Sequence, residues 1–280
     1  MNIVVCIKQV PDVPNIRIDR ERMTVIREGV ESIINPLDCI ALEAALDLRR
    51  KDGGRITVMT MGPAQSEEAL REALAFGADE AVLLTDRQFA GADTLATSRV
   101  LARAVSKLNP FPDLVLCGKQ TTDSDTGHVG PQVAEELNLP QVCGVNGIHL
   151  ETDSLTVKHR LTVKHRLTVT QLSDGFLNTL RVSMPALLTV APDLAMPHHV
   201  PFGDLEGAFS RREVIRWGLG DLGLQREEVG LRGSATRVRQ LYAPPPRRKG
   251  EMSSGSSQDL VKLLISKLEA LGILDENEEP

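Results

Sequence analysis

Residues 118–130 read GKQTTDSDTGHVG, with two carboxylates, three threonines, a histidine and three glycines between an apolar DLVLC and a helix-like PQVAEEL. Such a set can hold a metal ion, attack a substrate or cradle a phosphate, and each use makes separate demands. A calcium loop adds a central glycine and a terminal glutamate to its acidic positions, and Asp123, Asp125 and His128 come without them. Hydrolysis needs an activated nucleophile, yet there is no GxSxG elbow and no general base beside the threonines. The Walker sequence is absent as well. Neither a metal-ligand set nor a catalytic residue is therefore expected. A phosphate cradle fits better, because the amides of Thr126, Gly127, His128 and Val129 would lie at a helix start, where unpaired N–H groups stabilise an anion by about 0.3–1 kcal/mol. The same residues also permit a plainer role in which Asp123 and Asp125 only cap the turn and the helix. Taken alone, the stretch leaves both roles open.

The elements that must carry this turn follow from periodicity. NIVVCIK (2–8) is a continuous apolar run, as expected of a strand buried on both faces. Asn35 and Pro36 open a helix in which Ile40, Ala41, Ala44, Ala45 and Leu48 recur at helical spacing until Gly53 and Gly54. RITVMT (55–60), AVLLT (81–85) and DLVLC (113–117) read as further strands. Between them lie a helix with Ala69, Leu70, Ala73, Leu74 and Phe76 on its apolar face and a loop-into-helix segment at 91–105. This alternation predicts an α/β fold, a doubly wound, mostly parallel, Rossmann-like sheet whose ligands lie beyond the carboxyl ends of its strands. The loops KQVPD, MGP, TDRQFAGADT and GKQTTDSDTG all fall at that edge.

From about residue 145 the pattern alternates with period two. In LTVKHRLTVKHRLTVT (155–170) the hexapeptide LTVKHR occurs twice in tandem, and a return strand at 176–184 completes an antiparallel hairpin addition. Six added residues keep a strand's faces, so the repeat is expected to lengthen one strand. His159 and His165 would then stand about 20 Å apart along an extended chain, too far to share an ion. PALLTV (185–190) closes the domain, and 193–217, rich in Pro, Gly and charge, reads as an extended arm. Beyond the linker-like APPPRRKGEMSSGSSQ (243–258), DLVKLLISKLEALGIL reads as an amphipathic helix that needs another surface to cover its Leu and Ile face.

With 280 residues and 41% hydrophobic content the chain can bury a real core. A net charge of -6, with basic residues dispersed apart from Arg247, Arg248 and Lys249, argues against a nucleic-acid partner. Cys6, Cys39, Cys117 and Cys143 show no CxxC spacing and read as buried free thiols in a reducing compartment. MNIVVCIK passes directly into a strand pattern, so a cytoplasmic protein without membrane insertion is expected.

Four stretches carry a family resemblance in order along the chain: CIKQVPD (6–12), REGVESIINPLDCIALEAAL (27–46), MGPAQSEEALREALAFGAD (61–79) and CGKQTTDSDTGHVGPQVAEELNLPQV (117–142). Together with GLRGSATRV (230–238), they resemble the beta, or small, subunit of electron-transfer flavoproteins. The resemblance implies an adenine-nucleotide site surrounded by Cys6, Asn35, Pro36, Leu37, Asp38 and Met61 and by the run Gly118, Lys119, Gln120, Thr121, Thr122, Asp123, Ser124, Asp125, Thr126, Gly127, His128 and Val129. Ordinary members hold a structural AMP there, whereas the electron-bifurcating subgroup holds FAD. LLTDRQFAGADTLATSRVLARAV (83–105) is most similar to the bifurcating subgroup, which implies a flavin role for Asp93, Thr94 and Thr97.

The family further implies a heterodimer with an alpha subunit that carries a second FAD, electron exchange with a dehydrogenase or other redox partner, and oxidation of NADH in the complex if the chain bifurcates electrons. On this basis 1–192 is an α/β nucleotide-binding domain, 193–226 a partner-docking arm with Phe202 near its hydrophobic anchor, and 227–280 an extension whose helix packs on the partner subunit. His128 stands where Gln is usual, Ala235 where Pro is usual, and MPHHVPFGDL replaces a Pro-Arg-Tyr segment, which implies a distinct redox partner. Fold alone also admits a nucleotide-sensing or ATP-cleaving α/β protein, since function belongs to the site.

Overall fold

In the computed structural model, which describes residues 1–12, 17–19, 24–26, 32–157, 160–240, 250 and 252–273, the first strand sets the plan. β1 (Asn2–Cys6) turns Ile3 and Val5 into one core cluster and Val4 and Cys6 into another, so it is buried on both faces. Two short antiparallel pairs follow, β2 (Gln9–Pro11) with β5 (Ser32–Ile34), and β3 (Arg17–Asp19) with β4 (Thr24–Ile26). Helix α1 (Pro36–Asp52) begins with proline at its first position and stops at Gly53, whose φ of 71° suits a residue without Cβ. Then come β6 (Arg55–Met61), α2 (Glu67–Phe76), β7 (Glu80–Leu84), α3 (Thr94–Lys107), β8 (Leu114–Gly118) and α4 (Val129–Glu136).

The remaining elements of the first compact unit, Met1–Gln240, are β9 (Gln141–Val157), β10 (Arg160–Ser173), β11 (Phe176–Ser183), β12 (Ala186–Val190), α5 (Phe202–Arg211), β13 (Ile215–Trp217), α6 (Leu219–Leu222) and α7 (Gly230–Gly233). Among the described residues one sheet has the order β11-β10-β9-β12-β8-β1-β6-β7-β13. From β12 to β13 its pairs are parallel, while β9, β10 and β11 form an antiparallel extension. Residues of α1 and α2 fill one core cluster and residues of α3 and α4 the other. Each fully buried Leu or Ile in them, such as Leu42, Leu70 or Leu116, contributes about 1.5–3 kcal/mol. The chain steps outward from β1 through β6 to β7 and then returns across β1 to β8. Strand order therefore reverses between β1 and β8, which is where such sheets bind ligands.

Two expectations change. The LTVKHR repeat does not lengthen one strand: the chain reverses between Val157 and Arg160, and the ladder pairs Leu161 with Thr156 and Thr162 with Leu155. Only Leu161 and Thr162 of the second copy face the first, while Val163 to Arg166 pair with Ser154 to Glu151, so the reversal falls inside the first copy and the repeat contributes to both strands of the ribbon. Lys158 and His159 lie outside the described residues, and the expected spacing between His159 and His165 lies there with them.

Nor is 193–217 simply an extended arm, because α5 packs on α2 and β13 adds a parallel strand beside β7. Long-range hydrogen bonds hold it: Arg71 donates to the carbonyls of Ala208, Phe209 and Arg212, and Arg212 donates to Ala78. The His198 ring meets the Glu43 carboxylate at 2.5 Å, while Arg50 holds the other oxygen of Glu43 at 2.8 Å.

The second compact unit, Leu241–Pro280, contains α8 (Ser257–Ala270). The Ser256 hydroxyl caps it by accepting the Asp259 N–H, and Val261, Leu264 and Ile265 are exposed along it. The cluster Arg247 to Lys249 lies outside the described residues. Among the described residues no helix is long and apolar enough to cross a membrane.

Candidate nucleotide site

The carboxyl ends of β1 and β8 are joined by one buried carboxylate. Asp38, in the first turn of α1, accepts the Lys8 N–H at 2.8 Å and the Gly118 N–H at 2.9 Å, one on each oxygen. Burial pushes its carboxyl up to about 7, against the pull of these hydrogen bonds and of the Lys8 charge. Gly118 is needed for this approach, since a Cβ there would stand 2.5 Å from Asp38 Oδ1 and 2.7 Å from Leu37 Cβ. Asn35, fully buried, donates to the Gln120 carbonyl at 3.0 Å and accepts the Thr122 N–H at 3.2 Å. Asn35 and Asp38 thus fix the course of residues 118–122 from the first turn of α1.

The turn beyond is shaped by Asp123. Its carboxylate meets the Lys8 ammonium at 2.7 and 2.8 Å and accepts the hydroxyls of Thr121 and Ser124. Burial opposes its charge, but the hydrogen bonds from Lys8 and Thr121 hold its pKa below the ordinary carboxylate value. Asp125 (φ 54°) and Gly127 (φ 66°) both adopt left-handed backbone, which turns the chain into α4. Neither aspartate caps that helix: its N-cap is His128, which makes no side-chain cap hydrogen bond. No side chain therefore caps the first turn of α4. Gly130 seats this helix end tightly, because a Cβ would lie 2.5 Å from Thr189 Cγ2 and 2.8 Å from Cys117 Sγ.

A second helix end stands beside the first. Ser98, fully buried in α3, donates to the Thr94 carbonyl at 2.6 Å and lies 3.3 Å from the Val129 carbonyl and 3.2 Å from Gln132 Oε1. It staples the starts of α3 and α4 together, so the positive ends of two helix dipoles point to the same edge. Thr94 and Thr97 lie in the first turn of α3, both partly exposed. Asp93 is its N-cap: one oxygen accepts the Ala96 N–H at 2.9 Å and the other accepts the N–H and hydroxyl of Thr236. Burial works against the Asp93 charge, and these donors hold its pKa below the usual value.

The expected residues thus converge from both faces of the sheet. Asn35, Leu37 and Asp38 approach from the α1 side, whereas Cys6, Met61 and Val129 pack with the cluster of α3 and α4. Pro36, Lys119, Thr122, Ser124, Asp125, Thr126 and His128 lie exposed on the rim. Cys6 pairs in register with Cys117, and burial, with Asp38 nearby, pushes its thiol up to about 12, so it offers a neutral, apolar wall. Phe202 stands apart as the first residue of α5, 82% exposed. Among the described residues no cluster of His, Cys, Asp and Glu can hold a metal ion.

Sequence reasoning missed Lys8, Ser98, Ser234 and Thr236. Only the position of Lys8 inside the KQVPD loop hinted at a role. It also passed over GLGDLG (218–223), which has dinucleotide-loop spacing. That string forms the four-residue helix α6, whose first amides are taken by Asp86 and Asp221.

The model of the electron transfer flavoprotein domain matches residues 22–217. The chain belongs to the electron transfer flavoprotein family. It is 44% identical to the electron transfer flavoprotein subunit beta of Thermoanaerobacterium thermosaccharolyticum, over 98% of this chain and all of that one. It is 43% identical to the caffeyl-CoA reductase-Etf complex subunit CarD of Acetobacterium woodii, over 98% of this chain and all of the relative. With protein FixA of Sinorhizobium fredii it shares 42% identity over 96% of this chain and 93% of the relative. Coverage at this level makes it a beta-type, small electron transfer flavoprotein subunit, and decides against an unrelated nucleotide-sensing or ATP-cleaving protein. Membership also associates the chain with a nucleotide or flavin cofactor and with a heterodimeric redox assembly.

Proposed function

We propose that the edge between β1, β8, α3 and α4 binds FAD, and that the chain works with an alpha subunit carrying a second FAD. The observation that carries this reading is the pair of helix starts stapled by Ser98. AMP has one phosphate, which the uncapped start of α4 can take, whereas the diphosphate of FAD also reaches the Thr94 and Thr97 hydroxyls at the start of α3, which Asp93 caps. The residues present suit such a group: amides at Thr126 to Val129 and hydroxyls of Thr94 and Thr97 for the diphosphate, and Cys6 and Met61 as apolar wall for the adenine. A flavin held here would supply hydride acceptance and single-electron transfer, including bifurcation from NADH in the complex. The protein's own part is to bind and orient it, with Asn35 and Asp38 holding the floor of the site and Lys8 with Asp123 its rim.

The partner surfaces are proposed from the same relatives. Region 193–226, with exposed Phe202, docks a dehydrogenase or other redox partner, and region 227–280 places α8 on the alpha subunit, which covers its Val, Leu and Ile side chains. Comparison of FAD and AMP binding to the nucleotide-stripped complex by calorimetry tests the cofactor assignment. FAD should bind more tightly than AMP, and T94V/T97V should weaken FAD by roughly tenfold while sparing AMP, as expected when charge-assisted hydrogen bonds are lost. Tighter binding of AMP would return the site to a structural AMP and the chain to a docking subunit.

A further inference from the structure

The loop that opens α3 is stitched to a segment about 140 residues further along the chain, and the stitching runs in both directions. Asp93 Oδ2 accepts the Thr236 N–H at 2.8 Å and its hydroxyl at 3.0 Å. In return the Asp93 N–H donates to Ser234 Oγ at 2.8 Å, and the Ser234 hydroxyl donates to the Gly230 carbonyl at 2.7 Å. The two backbones are also in contact: the Leu231 N–H donates to the Ala90 carbonyl at 3.1 Å. Gly230, at φ +56°, lies where a Cβ would stand 2.0 Å from the Gln88 carbonyl oxygen, and a Cβ on Gly91 would stand 3.3 Å from Leu231 Cβ. Gly230 and Ser234 of GLRGSATRV thus have a local physical reason, which is to press against the loop that precedes α3.

We propose that Asp93 is a positioning residue that ties 230–236 to the phosphate-facing end of α3, so that nucleotide binding and the order of this segment depend on each other. The inference rests on the nucleotide reading given above. One carboxylate oxygen fixes the first turn of α3 through the Ala96 N–H while the other holds Thr236. Both contacts involve a charged acceptor, the stronger class of hydrogen bond. If the first turn loosens, Asp93 shifts and Thr236 loses its partner; if 230–236 departs, the first turn loses the packing that orients its amides and threonines. Coupling of this kind is reciprocal. Thr94 and Thr97 remain the residues placed to touch the ligand, while Asp93 acts through the geometry it imposes.

Hydrogen-exchange mass spectrometry of the full chain with its large partner, with and without FAD, tests this together with FAD affinity measured by flavin fluorescence. In the unmodified protein FAD should slow exchange across 230–240. D93A should abolish that protection and weaken FAD binding by about tenfold or more, and D93N, which keeps one oxygen acceptor, should fall between. S234A/T236V removes the two hydroxyls of the clasp, leaving only the backbone N–H of residue 236 on Asp93 and the α3 cap untouched, and should weaken FAD by roughly threefold to tenfold while the α3 amides stay protected; it decides the matter if D93A does not fold. Unaltered FAD binding in S234A/T236V, or undiminished protection of 230–240 in D93A, would overturn the proposal. Absence of FAD binding to the unmodified complex would instead contradict the nucleotide reading, whereas FAD binding with no change at 230–240 would contradict the clasp alone.

Discussion

Asp38 holds one backbone N–H from the loop after β1 and one from the end of β8, on either side of the switch point, so its chemistry and the geometry of the site are inseparable. Its folded pKa of about 7 lies above the ordinary aspartate value of about 4. The folded protein therefore binds this proton more tightly than the unfolded chain does. The stability Asp38 contributes is full below about pH 4 and is lost as pH rises through about 7. Asp123, Glu43 and Asp93 have lowered values, so their contributions are lost at acid pH, outside this window.

Between pH 5 and 8.5 the urea midpoint of the unmodified chain should fall, and in D38N that component should disappear; an identical pH slope in D38N would contradict the assignment. D38N should also cost about 1–3 kcal/mol at every pH, because an amide NH2 would face a backbone N–H.

At the scale of elements, the two helix starts act as one because Ser98 joins them. Ser98→Ala should cost about 1–2 kcal/mol in chemical denaturation, since buried carbonyl and amide groups lose their partner. It should also weaken FAD binding without altering the partner complex. Wild-type affinity in S98A would show that α3 and α4 bind independently of the staple.

α1 to α4 and the parallel strands were legible because each buries a periodic face: Ala69, Leu70, Ala73 and Leu74 of α2 are all buried as their spacing required. The helix in 193–217 was not legible, because α5 depends on Arg71 binding its last carbonyls, and three-residue β13 is too short to show a period. The reversal between Val157 and Arg160 falls in a stretch with no Gly, Pro or Asn to announce a turn. In the candidate site, the family resemblance named Asn35, Asp38, Gly118 and the 121–129 turn, and the structure brings Asn35 and Asp38 into hydrogen bonds with residues 118–122. Ser234 and Thr236 were not legible, since their partner Asp93 lies over 140 residues away and no local pattern links them.

On the scale of the molecule, the proposed pairing with an alpha subunit bears on the exposed side chains of the C-terminal unit. α8 has no buried residue, and Val261, Leu264, Ile265 and Leu271 stay in solvent. Without a cover such a helix gains little from its apolar side chains. Truncation after residue 250 should leave the thermal unfolding of the first unit within a few degrees of the full chain, yet abolish co-purification with the alpha subunit. Retained co-purification would place the interface elsewhere.

The central claim, that the edge between β1, β8, α3 and α4 holds FAD, is tested most directly by counting released nucleotides. The chain, purified with its alpha subunit, is denatured and its nucleotides are separated by chromatography. Two FAD and no AMP per heterodimer is the predicted result; one FAD and one AMP would contradict it.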